Sequence, residues 1–307
     1  MRFCKYIYCQ TGYSEDLETC PCCGYPVDEK EIENLEFTKS KLPEISGSII
    51  DMHQIIPKQP GMIEVQIQIM EYLGIQKALL QSVPTKVSSI FSNTDLLELK
   101  NTHADKFLIS HFLDPRHPFA LKRLGQYKER GVNVIKLLPC LGYEPDHPKW
   151  DKFWQKMERL DQVAMVHTGF ITARHKKEEF ENKQFLSSKY GDPLFFDIIA
   201  RKFPGLKIIL CHTGGTIWTE SATQMINQHD NVWGDISGFG LLALKKMLNT
   251  NIVANWDKLF WGNDSSPFSY PYNLNILLYE LNKGNRQELI PKLLFNNASN
   301  FLQEIAL

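Results

Sequence analysis

Four groups able to bind a metal or move a proton stand where apolar runs of this sequence end. They are His53 in SIIDMH, His167 in QVAMVH, His212 in LKIILCH and Asp264 just past KLFWGN. Imidazole nitrogen and carboxylate oxygen are the common non-thiolate ligands of zinc, and a catalytic zinc takes about three protein ligands plus water. Such an ion lowers the pKa of its water to about 7, and a nearby histidine or carboxylate can then carry the protons. A single histidine at a strand end is most often a hydrogen-bonded structural residue. Four such groups imply one site only if the fold brings the four strand ends together.

A second cluster has different chemistry. Five of the seven cysteines, Cys4, Cys9, Cys20, Cys22 and Cys23, fall within the first 23 residues. The N-terminus lacks the apolar stretch of a secretion signal, so thiolates packed this closely suggest a metal rather than disulfides. Cys20 and Cys23 form a Cys-x2-Cys knuckle followed by Gly24, and Cys4 and Cys9 complete a tetrahedral four-thiolate set. About 25 residues cannot bury enough core to fold alone, so an ion would stabilise them. Zinc is the default occupant, and iron also suits tetrahedral thiolates.

The elements that position the first cluster follow from patterning. Strand-like runs at 48–53, 76–81, 106–112, 132–138, 162–167, 206–212, 231–237 and 258–263 alternate with helically patterned segments, among them 62–73, 87–102, 118–130, 150–160, 192–203 and 217–228. Eight strands alternating with helices argue for parallel βα units. Some 260 residues for eight units match the ~250 typical of a closed (β/α)8 TIM barrel, an α/β fold whose active sites lie at the C-terminal ends of the strands. An open doubly wound sheet is the alternative, but no Gly-rich phosphate loop follows the first strand. The expected organisation is a cysteine-rich ribbon over residues 1–28, a charged linker over 29–46 and the barrel over 47–307.

At 307 residues, 43% apolar and 22% charged, the composition is that of a soluble globular protein. A net charge of −1 gives no electrostatic case for nucleic acid, and no apolar run approaches the ~20 residues of a membrane span. The expectation is a cytoplasmic protein with a small-molecule partner, with a homodimer left open.

The barrel segment resembles the amidohydrolase superfamily, in its amidohydrolase-related branch of aminocarboxymuconate-semialdehyde decarboxylases, benzoate-type decarboxylases and dicarboxylate lactonases. The resemblance rests on the order and spacing of IIDMH, GVNVIKLLP, VAMVHTG, FPGLKIILCHTGG, NVWGDISG, LFWGNDSSP and LFNNASNFL. It implies that His53, His167 and Asp264 hold a metal, zinc by default. It implies that His212 is the catalytic acid/base or a further ligand, and that Asp264 also handles protons. Residues 1–28 resemble a rubredoxin-like zinc ribbon, except that four residues separate the first two cysteines and Cys22 is left over.

One departure stands out. The family's first strand normally ends in His-x-His, and here Ile55 takes the second place. Three readings follow: a metal on three ligands, His212 as a fourth ligand, or a site that has lost its metal. Lys136, in VIKLLP, is a candidate for a substrate or structural contact, or else a mouth-lining or buried paired lysine, and Arg174, seven residues past His167, is a candidate for holding a substrate carboxylate bidentately. Arg174 could equally belong to a solvent-facing basic loop with Lys176 and Lys177. Asp235 is expected to orient a ligand histidine or to cap a turn. Strand alternation is expected to turn Cys211 away from the barrel axis. The implied activity is a metal-dependent hydrolase using metal-activated water on a small, carboxylate-bearing molecule. Non-oxidative decarboxylation at the same site, or a metal-poor barrel kept for binding or scaffolding, are the alternatives.

Overall fold

A computed structural model describes residues 2–3, 12–13, 49–84, 87–88, 90–171, 186–238, 240–253 and 255–307. At the N-terminus, Arg2–Phe3 pairs antiparallel with Gly12–Tyr13. Cys4, Cys9, Cys20 and Cys23, the 29–46 linker and Arg174 lie outside the described residues.

Eight parallel strands follow: β1 (Ile49–Gln54), β2 (Ile75–Gln81), β3 (Phe107–Phe112), β4 (Val134–Leu137), β5 (Val163–His167), β6 (Ile208–Cys211), β7 (Val232–Asp235) and β8 (Leu259–Phe260). Each pairs with its sequence neighbour. Backbone bonds bring the two edges together: Met52 N–H donates to Trp261 O (3.0 Å) and Asp264 N–H to His53 O (2.6 Å). The sheet is a nearly closed TIM barrel, and the strands fall within two residues of their expected bounds, except that β8 ends three residues early, at Phe260.

Alternation along the strands divides the core into two layers. Ile208 and Leu210 of β6, and Ala164 and Val166 of β5, pack outward against the helices. Ile209, Val163, Met165, Val134, Leu79, Leu108 and Phe260 fill the interior. The helices are α1 (Met62–Leu73), α2 (Asn93–Thr102), α3 (Ala120–Glu129), α4 (Asp151–Arg159), α5 (Asp197–Lys202), α6 (Thr219–Gln228), α7 (Gly240–Thr250), α8 (Tyr270–Lys283) and α9 (Asn297–Glu304). The segment expected to be helical from 87 becomes so only at Asn93, because Ser92 and Asp95 form a capping box that starts the helix there. On α9, the Phe301 ring lies 5.0 Å from Trp233 and 5.1 Å from Phe260, so this helix closes the end of the barrel away from the strand C-termini. Among the described residues, no helix is long and apolar enough to cross a membrane.

Candidate metal centre at the barrel mouth

His53 reaches the mouth because β1 is irregular. Asp51 pairs with Ala78 and Gln54 with Leu80, so β1 spends three steps where β2 spends two. Ile50 and Met52 pack in the barrel interior, and strict alternation would send His53 to the helix side. The extra residue is a β-bulge, which resets the phase and turns the imidazole inward. Gly262 makes room for it, since a Cβ there would fall 2.6 Å from His53 Cβ.

His167 ends an extended strand, and the other two groups are set by the chain turning at strand ends. His212, Thr213, Gly214 and Gly215 all have positive φ (60°, 43°, 73° and 57°), as does Asp264 (45°). Left-handed backbone at a histidine, a threonine and an aspartate is costly and clusters at functional sites. The two HTG stretches share a supporting device. Thr168 Oγ1 donates to Cys211 O, and Thr213 Oγ1 to Asp235 O, so each threonine ties its own strand end to the next one.

The geometry centres on His53. Its Nδ1 lies 2.9 Å from Asp235 Oδ2 and 3.0 Å from Ser237 Oγ. Its Nε2 faces Asp264 Oδ1 at 3.3 Å and Lys136 Nζ at 3.1 Å. His212 Nδ1 stands 3.7 Å from Asp264 Oδ2, 3.2 Å from Ser237 O and 3.1 Å from Ser237 Oγ. Ligand-capable atoms of His53, His212 and Asp264 lie within 4.8 Å of one another, and so do those of His53, Cys211 and Asp235. The His167 ring is 5.0 Å from that of His212, and its Nε2 is buried with no hydrogen-bond partner. All four residues singled out at strand ends therefore meet at one mouth.

Segment 87–302 matches the family described as Amidohydrolase. The chain belongs to the amidohydrolase family. That match begins past β1, so His53 and Ile55, where the chain departs from the His-x-His pattern, lie outside the matched segment. Among solved structures, this amidohydrolase is similar to an uncharacterised TIM-barrel protein from Bordetella bronchiseptica, with a TM-score of 0.62 and 15% identity over 84% of this chain and 99% of that one. It is also similar to a 5-carboxyvanillate decarboxylase from Novosphingobium aromaticivorans carrying manganese and 3-methoxy-4-hydroxy-5-nitrobenzoic acid (TM-score 0.55, 14% identity, 85% and 98% covered). A third is a probable 2-pyrone-4,6-dicarboxylic acid hydrolase from Acinetobacter baumannii with citric acid bound (TM-score 0.52, 15% identity, 85% and 100% covered). At such identities the likeness is one of fold. No curated protein matches the chain.

Electrostatics suit the amidohydrolase's residues to ion binding. Burial, then the charge of Lys136, brings His53 down to about 4, so its imidazole is neutral at neutral pH. Burial, then His212, holds His167 well below the ordinary range, and burial lowers His212 against the opposing pull of Asp264. Burial would raise Asp235, but His53 and the hydrogen bonds outweigh it and hold the carboxyl well below the usual carboxylate range. Its Oδ1 accepts from His212 N–H and Ser237 N–H, both at 3.0 Å, and from Ser237 Oγ–H. An ionised Asp235 accepting from His53 Nδ1–H leaves the Nε2 lone pair aimed at the mouth.

One expectation changes. Cys211 faces the barrel interior with Ile209, and its Sγ is 3.0 Å from Lys136 Nζ. The chain leaves the extended conformation at His212, so the histidine reaches the mouth through a left-handed turn and alternation assigns the inward position to Cys211. Lys136 is 3% exposed and engaged with His53 and Cys211, at the metal-capable pole rather than on an open wall. Sequence reasoning passed over Ser237 and Asp51. Each lies two residues from a singled-out residue, and that spacing was the available signal.

Proposed function

We propose that this amidohydrolase is a metal-dependent hydrolase acting on a small, carboxylate-bearing molecule. The reading rests on His53: its Nδ1 is held by an ionised Asp235 while its Nε2 faces Asp264 among further imidazoles. A neutral imidazole oriented by a carboxylate, a second carboxylate at 3.3 Å and the His212 imidazole, with ligand atoms within 4.8 Å of one another, make a donor set that fits a divalent ion. His53 and Asp264 would hold it. The third position falls to His212, whose ligand atom lies within 4.8 Å of those of His53 and Asp264, or to His167 beside it, which the resemblance implies and whose Nε2 has no other partner. When bound, the ion would supply Lewis acidity, polarising a carbonyl and lowering the pKa of water.

His212 is placed to carry protons. Burial keeps it neutral near pH 7, and Asp264 beside it would stabilise the imidazolium formed on taking a proton. Asp235 and Ser237 hold the orientations of both imidazoles. Lys136 adds positive charge at the same pole, and Arg174 is assigned to a substrate carboxylate. Zinc is the proposed ion, and manganese in the decarboxylase relative is consistent with a site of nitrogen and oxygen donors.

The test is metal analysis of the purified protein with turnover assays on lactones and carboxylated aromatics, following ring opening and carbon dioxide separately. His53→Ala and Asp264→Asn should each lower kcat/KM by about 100-fold or more. Release of carbon dioxide without hydrolysis would move the assignment to decarboxylation, where the His212–Asp264 pair would protonate carbon. Ile55 favours the non-catalytic alternative, and Ile55→His decides it. Unchanged metal content and turnover mean the three-residue set is complete, whereas metal and turnover gained only in the variant mean the natural barrel is metal-poor.

A further inference from the structure

Asp51 is fully buried on the helix side of β1, and its carboxylate is tied to both sides of the barrel seam. Oδ1 accepts from the backbone N–H of His53 (2.9 Å) and from that of Asn263 (3.1 Å), the residue before Asp264. Oδ2 accepts from Tyr270 Oη–H (2.6 Å). A ring of hydrogen bonds then returns to Asn263. Gln66 Nε2 donates to Tyr270 Oη (2.8 Å), Gln54 Nε2 to Gln66 Oε1 (2.7 Å), and Asn263 Nδ2 to Gln54 Oε1 (3.1 Å). The ring joins β1, α1, α8 and the turn after β8 in a layer that is otherwise apolar.

We propose that Asp51 is a positioning residue: one carboxylate oxygen fixes the backbone carrying both His53 and Asp264, and so sets the separation of the candidate metal-holding pair. The proposal rests on reading that pair as ligands. Two features point past a purely structural ring. The Oδ1 clamp spans the bulge that turns His53 inward, and the clamped segments are themselves joined by Asp264 N–H to His53 O. Displacing either segment would move a side chain of the site, whereas the hydrogen bonds of Tyr270 and Gln66 run to Asp51 Oδ2, to each other and to Gln54.

The test uses the full chain and manganese, a hard ion that favours these donors over the N-terminal thiolates, with free Mn2+ followed by electron paramagnetic resonance. Asp51→Ala should weaken binding by about tenfold or more, the range for residues that orient ligands. Asp51→Asn keeps an acceptor for both amides and should stay within about threefold of the natural protein. Tyr270→Phe should lower the unfolding midpoint yet also stay within about threefold, because the Oδ1 clamp survives. If Asp51→Ala fails to fold, Asp51→Ser, too short to span both amides, takes its place. Natural-strength binding in the clamp-less variant, or equal weakening by Tyr270→Phe, would overturn the proposal. Absence of Mn2+ binding in the natural protein would instead sink the metal reading. Amide exchange would then decide the clamp, with faster exchange at His53 and Asn263 in Asp51→Ala supporting it and unchanged protection overturning it.

Discussion

His53 Nε2 has two neighbours with opposite consequences, Asp264 Oδ1 at 3.3 Å and Lys136 Nζ at 3.1 Å. An ammonium at that distance donates to the same lone pair that an ion requires, and it repels a second cation. Two unit charges about 4 Å apart interact by roughly 4 kcal/mol at an effective dielectric of about 20. Removing the charge should therefore tighten metal binding: Lys136→Met should lower the Mn2+ dissociation constant by about tenfold or more in a chelator competition, a factor worth about 1.4 kcal/mol. Unchanged or weaker binding would mean that Lys136 orients His53 rather than competing for it. The lysine also bears on the Ile55 departure. Where the family pattern has a second histidine, this chain keeps a buried cation on the one that remains.

At the scale of elements, β3 carries a second buried histidine with a different consequence. His111 is 2% exposed, its ring lies edge-on to Tyr127 of α3 at 4.8 Å, and the Asn93 backbone is its polar neighbour, too poorly placed for a regular hydrogen bond. Burial, then the charges of Arg130 and Lys100, brings it down from 6.5 to about 4. A histidine depressed on folding binds fewer protons in the native than in the unfolded chain. Its contribution is thus complete above pH 6.5 and is lost as pH falls towards 4. The full loss is on the order of 3 kcal/mol at 1.36 kcal/mol per pKa unit. His111→Phe should flatten the fall in urea midpoint between pH 6.5 and 4, with little cost at pH 8 because no well-formed hydrogen bond is broken. His53 and His167 are depressed too, so part of the slope should remain, and an unaltered slope would refute the assignment. This also shows where the sequence was legible. Apolar runs such as IILC and VAMV marked strands, and residues at their ends met at the mouth, because sheet alternation and barrel closure are written in local pattern. The bulge in β1 and the left-handed run at 212–215 carry no such mark. The bulge comes from pairing with β2 and from packing against Gly262, and the run at 212–215 from the turn packed against Gly169 and Trp218, and so the direction of Cys211 and the role of Asp51 were not legible.

For the whole molecule, the remaining question is whether one chain holds two independent ions. The barrel has its own interior, a sheet–helix layer and a helix, α9, closing its far end, and none of these described contacts uses a residue before Ile49. The N-terminal cysteines offer soft thiolates, whereas the mouth offers imidazoles and carboxylates, so the two donor sets favour different ions. A small segment that depends on an ion should unfold without it, whereas a domain with a full core should not. Replacing Cys20 and Cys23 with serine should therefore remove one equivalent of zinc or iron from the full chain. The same change should leave Mn2+ binding at the mouth and the barrel's unfolding midpoint unaltered, while His53→Ala does the reverse. Elemental analysis, Mn2+ titration and calorimetry on the two variants check this together. If the serine variant also lost manganese affinity at the mouth, the two donor sets would be coupled, and the proposed N-terminal ribbon would count as part of the catalytic unit rather than as a separate module.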